Sequence, residues 1–140
     1  NAPLMVQGNR ADRQVGCLVG FHYHRFQSDY WYVPFGRAFV GLHDLRLSSN
    51  TKGATQTLEL NDENHMGVYI PPGVAHGFYA ITNATITYLV DQYYNPDDEL
   101  GVAWDDPAVQ CSWPTLSPLL SERDAKNPKV VDIDPALLPQ

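Results

Sequence analysis

Short apolar or alternating segments recur from Val15 to about residue 92, and turn residues separate them. The segments are rich in Val, Ile, Tyr, Phe and Thr, whereas the separators contain Gly, Pro, Asn, Asp or Ser. This composition is typical of strands joined by turns. The predicted strands cover residues 15–24, 29–35, 37–46, 54–60, 66–71, 74–81 and 84–92. A strand series of this spacing predicts an all-β sandwich or barrel.

The two ends of the chain lack this pattern. Residues 1–14 are polar and are interpreted as an N-terminal arm outside the core. The barrel is predicted over residues 15–115. In the C-terminal segment, residues 116–140, the stretch Ser117–Lys126 is the first candidate for a helix, because a serine precedes acidic residues there as at a capped helix start.

Composition narrows the class of protein. A chain of 140 residues with 44% hydrophobic residues is expected to form one folded domain. Its net charge of -7 disfavours nucleic acid or an anionic membrane as partner. No apolar run reaches the roughly 18 residues of a membrane span, and the first residues do not resemble a signal peptide, so a cytoplasmic location is expected. Cys17 and Cys111 are then predicted to be buried, reduced thiols.

His22 and His24 are the first residues whose chemistry needs an explanation. They are two positions apart on a predicted strand, so their side chains share a face. Together with Gly16, Asp29 and Gly36 they have a spacing similar to the first cupin motif, and Pro71–His76 resembles the core of the second. His22, His24, Asp29 and His76 would form a site of three nitrogens and one oxygen, which suits Fe, Mn, Ni or Zn. The alternative is that these histidines work without metal.

Over nearly its whole length the chain resembles the dTDP-4-dehydrorhamnose 3,5-epimerase family, a metal-independent branch of the cupin jelly rolls. The matching segments are residues 16–23, 43–46, 48–49, 63–64, 70–78, 88, 92–99, 104–107, 113–114 and 119–124. The resemblance implies a cupin jelly-roll barrel with a short helical C-terminal segment that packs back on the barrel. It also implies a nucleotide-sugar substrate, no cofactor and a homodimer.

The same resemblance implies roles for individual residues. His22 matches the general base that removes a proton next to the 4-keto group of a nucleotide-linked 6-deoxyhexose. Asp124 matches the carboxylate paired with that base, and Tyr88 matches the tyrosine that returns a proton from the opposite face. His76 and Tyr94 match further residues of the substrate cavity.

Four positions depart from the family pattern, one of them the family's basic residue after Glu63-Asn64, which is His65 or Met66 here. Asp29 falls where the family has a lysine that stabilises the enolate, Val19 replaces an arginine of the phosphate site, and His24 replaces a glutamine. An aspartate in place of that lysine repels an enolate unless it holds a cation. His24 and Asp29 are therefore predicted to contact substrate or metal. Phosphate contacts are expected from one or more arginines, namely Arg10, Arg13, Arg25 or Arg37.

Three functions remain open on this basis. The first is a metal-independent epimerase that acts at one or both carbons beside the ketone. The second is a metal-dependent cupin that uses His22, His24, Asp29 and His76, with a divalent metal in place of the lysine. The third is a sugar-binding or structural member of the family without catalysis.

The remaining polar and aromatic candidates are interpreted as core or surface residues without a direct role in chemistry, apart from one of the two adjacent tyrosines. His43 lies on an apolar strand and is predicted to be a satisfied core histidine. Asp97–Glu99 is predicted to be solvated surface. Tyr93 and Tyr94 are adjacent, so at most one of them is expected to face a cavity.

Overall fold

The chain forms two antiparallel sheets that face each other, as seen in a computed structural model that describes residues 3–140. The strands are β1 Gln7–Arg13, β2 Leu18–Tyr23, β3 Asp29–Phe35, β4 Arg37–Asp44, β5 Thr55–Asn61, β6 Gly67–Ile70, β7 Val74–Ala80, β8 Ala84–Val90 and β9 Leu100–Gly101. One sheet has the order β1-β8-β3-β6, and the other has the order β5-β4-β7-β2-β9. The helical structure consists of 3₁₀ turns at Pro96–Asp98, Asp124–Lys126, Val130–Asp132 and Pro135–Leu137.

Strands that follow one another along the chain mostly lie in opposite sheets, which is the jelly-roll arrangement. The predicted all-β jelly-roll class is confirmed. Seven predicted strands correspond to β2 through β8, with ends that differ by a few residues. Among residues 3–140, no helix has the length and apolar character needed to span a membrane.

Two apolar clusters hold the sheets together. The first fills the space between the sheets with buried side chains such as Val33, Val40 and Ile86. The second covers the outer side of β2, where Tyr23 packs with residues of the C-terminal segment such as Ile133. The first cluster does not fill the whole space between the sheets, and the remaining space is a cavity.

The predicted N-terminal arm requires a correction. Gln7–Arg13 form β1, which pairs in register with β8 over its whole length, from Gln7 opposite Val90 to Arg13 opposite Ala84. The polar composition of this segment concealed the strand. Its inward positions face a cavity rather than the apolar core, so they do not need to be hydrophobic.

The predicted helix at 117–126 also requires a correction, since only Asp124–Lys126 form a 3₁₀ turn there. Leu119 instead forms a parallel bridge with Cys17. Its backbone N–H donates to the Gly16 carbonyl at 2.9 Å, and its carbonyl accepts from the Leu18 N–H at 3.0 Å. These backbone groups are committed to the barrel and cannot form a helical ladder. The contacts attach the C-terminal segment beside the start of β2.

The structure also tests the predictions for His43 and for the two cysteines. His43 is buried, and its Nδ1 lies 2.8 Å from the Thr55 hydroxyl, as expected for a satisfied core histidine. Cys17 and Cys111 have free thiols, but both are half-buried rather than fully buried.

Candidate active site

A cavity of about 350 Å³ opens between the two sheets. Inward side chains of both sheets and the segment that follows β8 line it. From the four-stranded sheet come Gln7, Asn9, Ala11, Arg13, Asp29, Trp31, Ile86, Tyr88 and Val90. Residues of β2 and β7, with the turn after β2, add Val19, His22, His24, Phe26, Gln27, His76 and Phe78, and the segment after β8 adds Gln92, Tyr93, Tyr94, Asn95, Asp98 and Glu99.

Strand register explains how the four-stranded sheet gathers its share of these residues. Trp31 of β3 lies opposite Tyr88 of β8, and Tyr88 lies opposite Asn9 of β1. Asp29 likewise lies opposite Val90. Directly opposed residues of antiparallel strands point to the same face, so these rows meet at the cavity wall.

A β-bulge in β2 places the histidines on the opposing wall. Val19 pairs with Phe78 and His22 pairs with His76, so β2 carries one more residue than β7 between the two pairs. Gly20, within the bulge, has φ +112°, and a Cβ there would lie 2.6 Å from the Gly77 Cα. Only glycine satisfies both the backbone conformation and this close approach. The bulge therefore sets His22 beside His76.

His22 forms a short hydrogen bond with Asp124 from the C-terminal segment. The distance between His22 Nε2 and Asp124 Oδ1 is 2.5 Å, and Asp124 is only 3% exposed. Burial tends to raise the pKa of Asp124, but hydrogen bonds from His22 and Ser121 outweigh it and lower the pKa. An ionised carboxylate can only accept, so Nε2–H donates and the free lone pair of the ring is at Nδ1. This arrangement orients the ring and stabilises its protonated form.

Tyr88 lies across the cavity from His22, because β8 and β2 belong to opposite sheets. Burial raises the pKa of its hydroxyl, and the negative charges of Asp29 and Glu99 raise it further. The phenol is therefore neutral at neutral pH and keeps the proton that a donor needs.

Three of the four residues predicted for the metal alternative lie together. His24, Asp29 and His76 are all buried, and their potential ligand atoms lie within 4.8 Å of one another. His22 does not belong to this cluster, and its Nε2 is engaged by Asp124. The prediction that all four residues converge is therefore wrong for His22, and the other three lie together.

The structure does not place either Arg25 or Arg37 on the cavity wall. Arg37 pairs with Glu59 of β5 at 2.8 and 2.9 Å, because β4 and β5 lie side by side away from the cavity. Arg25 extends towards the C-terminal segment, where its Nη1 donates to the Ala136 carbonyl at 3.4 Å. Of the arginines in residues 3–140, Arg13 is the one that lines the cavity.

Two further predictions about the segment after β8 are wrong. Tyr93 and Tyr94 both line the cavity and are 72% and 66% exposed, which is possible because they lie in a loop rather than a strand. Asp98 is buried rather than solvated, and its carboxylate accepts from the Arg25 and Phe26 N–H groups at 2.8 and 3.1 Å.

Sequence reasoning named Arg13 as a possible phosphate contact but missed the other residues of β1 that line the site. Gln7, Asn9 and Arg13 are alternate residues that share the inward face of β1. Their two-residue spacing is visible in the sequence. Since no apolar residue of comparable size marks that face, the spacing was not interpreted as a strand.

A jelly-roll barrel whose cavity holds a carboxylate-paired histidine on one wall and a neutral phenol on the other is typical of an enzyme that moves protons. The family model for dTDP-4-dehydrorhamnose 3,5-epimerase matches residues 2–132. This chain therefore belongs to the dTDP-4-dehydrorhamnose 3,5-epimerase family, which confirms the resemblance and the prediction of an isomerase.

Individual relatives agree with this assignment. The spore coat polysaccharide biosynthesis protein SpsL of Bacillus subtilis is 43% identical over 104 residues, which cover 71% of this chain and 69% of that protein. A crystal structure of the 3,5-epimerase RmlC from Legionella pneumophila in complex with dTDP-4-keto-L-rhamnose has a TM-score of 0.94. The two sequences are 34% identical, and the match covers 100% of this chain and 77% of the RmlC chain.

A third relative is a monoepimerase. The crystal structure of ChmJ from Streptomyces bikiniensis, a 3'-monoepimerase in complex with dTDP-quinovose, has a TM-score of 0.91 and 31% identity. The match covers 97% of this chain and 72% of that one. The solved structures similar to this chain therefore include enzymes described as acting at two carbons and at one.

Proposed function

We propose that this chain epimerises a dTDP-linked 4-keto-6-deoxy sugar at one or both carbons that flank the ketone. The observation that carries the proposal is the hydrogen-bonded pair of His22 and Asp124, which shares a cavity with Tyr88 of the opposite sheet. Epimerisation beside a ketone requires a base on one face of the sugar and an acid on the other. The substrate class is that of the related enzymes.

In the proposed mechanism His22 acts first. Its free ring nitrogen takes the proton from the carbon beside the ketone, the C–H electron pair forms the enolate double bond, and the carbonyl oxygen becomes negative. Asp124 stabilises the resulting imidazolium through the 2.5 Å hydrogen bond. Because Asp124 is ionised and buried, its charge acts on the ring with little screening by water.

Tyr88 completes the inversion. Its O–H delivers a proton to the enolate carbon from the opposite face, so the configuration at that carbon is reversed and the ketone is restored. The phenolate then takes a proton from water, and the His22 imidazolium gives its proton to the hydroxide that forms, so both groups return to their starting states. These reaction steps transfer protons only, so the reaction requires no redox cofactor.

The proposed function is tested by solvent exchange. In deuterium oxide, purified protein with a dTDP-4-keto-6-deoxyhexose is expected to place deuterium at the carbon that is epimerised, and mass spectrometry with proton NMR locates it. The configuration of the product at each exchanged carbon, determined by proton NMR, distinguishes a monoepimerase from a 3,5-epimerase. Absence of deuterium from every such sugar would contradict the proposal and favour the alternative of a sugar-binding protein without catalysis.

Arg13 is the proposed contact for the nucleotide diphosphate. It is half-buried at the cavity wall and donates through Nη1 to the Asp12 carbonyl at 2.9 Å, which leaves other guanidinium N–H groups available to phosphate. Arg13→Gln is expected to weaken dTDP binding by about 10- to 100-fold, since hydrogen bonds to charged groups contribute about 1.5–3 kcal/mol. Isothermal titration calorimetry measures the change.

Arg37→Gln is the matched control for Arg13. Arg37 is half exposed and paired with Glu59 outside the cavity, so its replacement is expected to leave dTDP affinity unchanged. Equal losses in the two variants would contradict the assignment of Arg13.

The homodimer implied by the family resemblance stays a prediction.

A further inference from the structure

His24, Asp29 and His76 form a buried polar cluster that proton transfer by His22 and Tyr88 does not use. The three residues are 9%, 3% and 5% exposed, and they come from the turn after β2, from β3 and from β7. Buried polar side chains are unfavourable unless their atoms are paired. The atoms that face one another here are two ring nitrogens and a carboxylate oxygen.

Backbone carbonyls fix the proton on the outer nitrogen of each ring. His24 Nδ1 lies 2.7 Å from the Asp98 carbonyl, and His76 Nδ1 lies 2.9 Å from the Val74 carbonyl. A carbonyl can only accept, so both Nδ1 atoms carry the proton and both Nε2 atoms present a lone pair. Metal-binding histidines are oriented in this way by donating their other ring N–H to a carbonyl or carboxylate.

The carboxylate of Asp29 is held by two donors of its own. Gln27 Nε2 donates to Oδ1 at 2.8 Å, and Trp31 Nε1 donates to Oδ2 at 3.0 Å. Oδ2 lies 3.9 Å from His76 Nε2. Within residues 3–140 neither Nε2 atom has a hydrogen-bond donor, so two lone pairs and a negative charge converge. A cation between them would relieve the repulsion.

We propose that His24, Asp29 and His76 bind one divalent transition-metal ion on the wall of the cavity. Two imidazoles and one carboxylate are ligands for Zn, Mn, Fe, Co or Ni, and a site with three protein ligands leaves positions open for a substrate oxygen or water. Metal bonds of about 2.0–2.2 Å place neighbouring ligand atoms about 3 to 3.4 Å apart. Binding therefore draws His76 Nε2 and Asp29 Oδ2 closer together than the 3.9 Å seen here.

The site has a consequence for catalysis that rests on the proposed function. An enolate oxygen needs positive charge nearby. Arg13 is the one arginine among the described cavity residues, which include no lysine, whereas Asp29, Asp98 and Glu99 are acidic. A bound ion would supply the missing charge, and because His22 is not a ligand, the base would remain free to act.

The metal site is tested by direct binding. Protein treated with EDTA and dialysed is titrated with Co²⁺, followed by visible absorption, and with Zn²⁺, followed by calorimetry. We expect one ion per chain and cobalt bands typical of nitrogen and oxygen ligands. His24→Gln and Asp29→Asn are each expected to weaken binding more than about tenfold. Circular dichroism checks that both variants fold. If Asp29→Asn does not fold, His24→Gln alone provides the test.

His65→Gln is the matched control, because His65 is exposed in the turn between β5 and β6 and does not line the cavity. It is expected to bind both ions like the unaltered protein. No stoichiometric binding, or binding that neither cluster variant weakens, overturns the proposal. Tight binding without any deuterium exchange contradicts the proposed epimerase and leaves the metal site intact, whereas exchange at equal rates in loaded and stripped protein overturns the catalytic part alone.

Discussion

His22→Asn is expected to lower the rate of solvent exchange and of epimer formation together by about 100- to 10,000-fold, the range that a general base contributes. Asparagine approximates the size of the ring and offers an amide to Asp124, but it cannot take a proton from carbon at neutral pH. The rate is measured by deuterium incorporation under saturating sugar nucleotide, so that loss of affinity does not contribute.

Binding of dTDP is the control measurement for His22→Asn. The nucleotide is expected to bind with its usual affinity, because the hydrogen bond that His22 makes is to the protein. Asp124→Asn is a useful companion, since it keeps the imidazole but removes the charge behind it, and a smaller loss of about 10- to 100-fold is expected. If His22→Asn retained most of the exchange, another residue would be the base.

Tyr88→Phe is expected to separate the two halves of the reaction. Without the phenol, His22 can still remove the proton and return a deuteron to the same face, so deuterium still enters the sugar. Inversion needs the acid on the other wall and is expected to fall by about 100- to 10,000-fold. Proton NMR of the product distinguishes the deuterated starting sugar from the epimer.

Tyr30→Phe is the matched control for Tyr88→Phe. Tyr30 lies in the same sheet on β3 but is exposed and outside the cavity, so removal of its hydroxyl is expected to leave both rates unchanged. Equal losses of exchange and inversion in Tyr88→Phe would mean that Tyr88 acts in binding or in deprotonation rather than as the second acid.

The barrel strands were predictable because their inward residues are apolar or aromatic. Val33, Val40 and Ile86 are all fully buried, and the alternation around such residues indicates a strand without any tertiary information. The same logic failed for β1, whose inward residues are polar because they face the cavity. Sequence patterns report burial in an apolar core, and a strand that lines a polar site gives a weaker signal.

The candidate site was predictable to a different extent for each residue. The spacing of His22, His24, Asp29 and His76 indicated one location, but it could not show that Asp124 would engage the Nε2 of His22 and leave the other three as a separate cluster. The arginines of the chain have no spacing that distinguishes a phosphate contact from a surface ion pair. Arg37 faces Glu59, and Arg13 faces the cavity, only because of the pairing of β4 with β5 and of β1 with β8.

The attachment of the C-terminal segment beside β2 has a consequence for the order in which activity arises. His22 and Asp124 are 102 positions apart in the chain. Asp124 belongs to a three-residue turn that is secured by the bridge between Leu119 and Cys17 and by the Ser121 hydroxyl, rather than to a strand of the barrel. The strand pairings of the two sheets do not involve Asp124. A folding chain can therefore form the cavity before this turn docks and brings the carboxylate to His22.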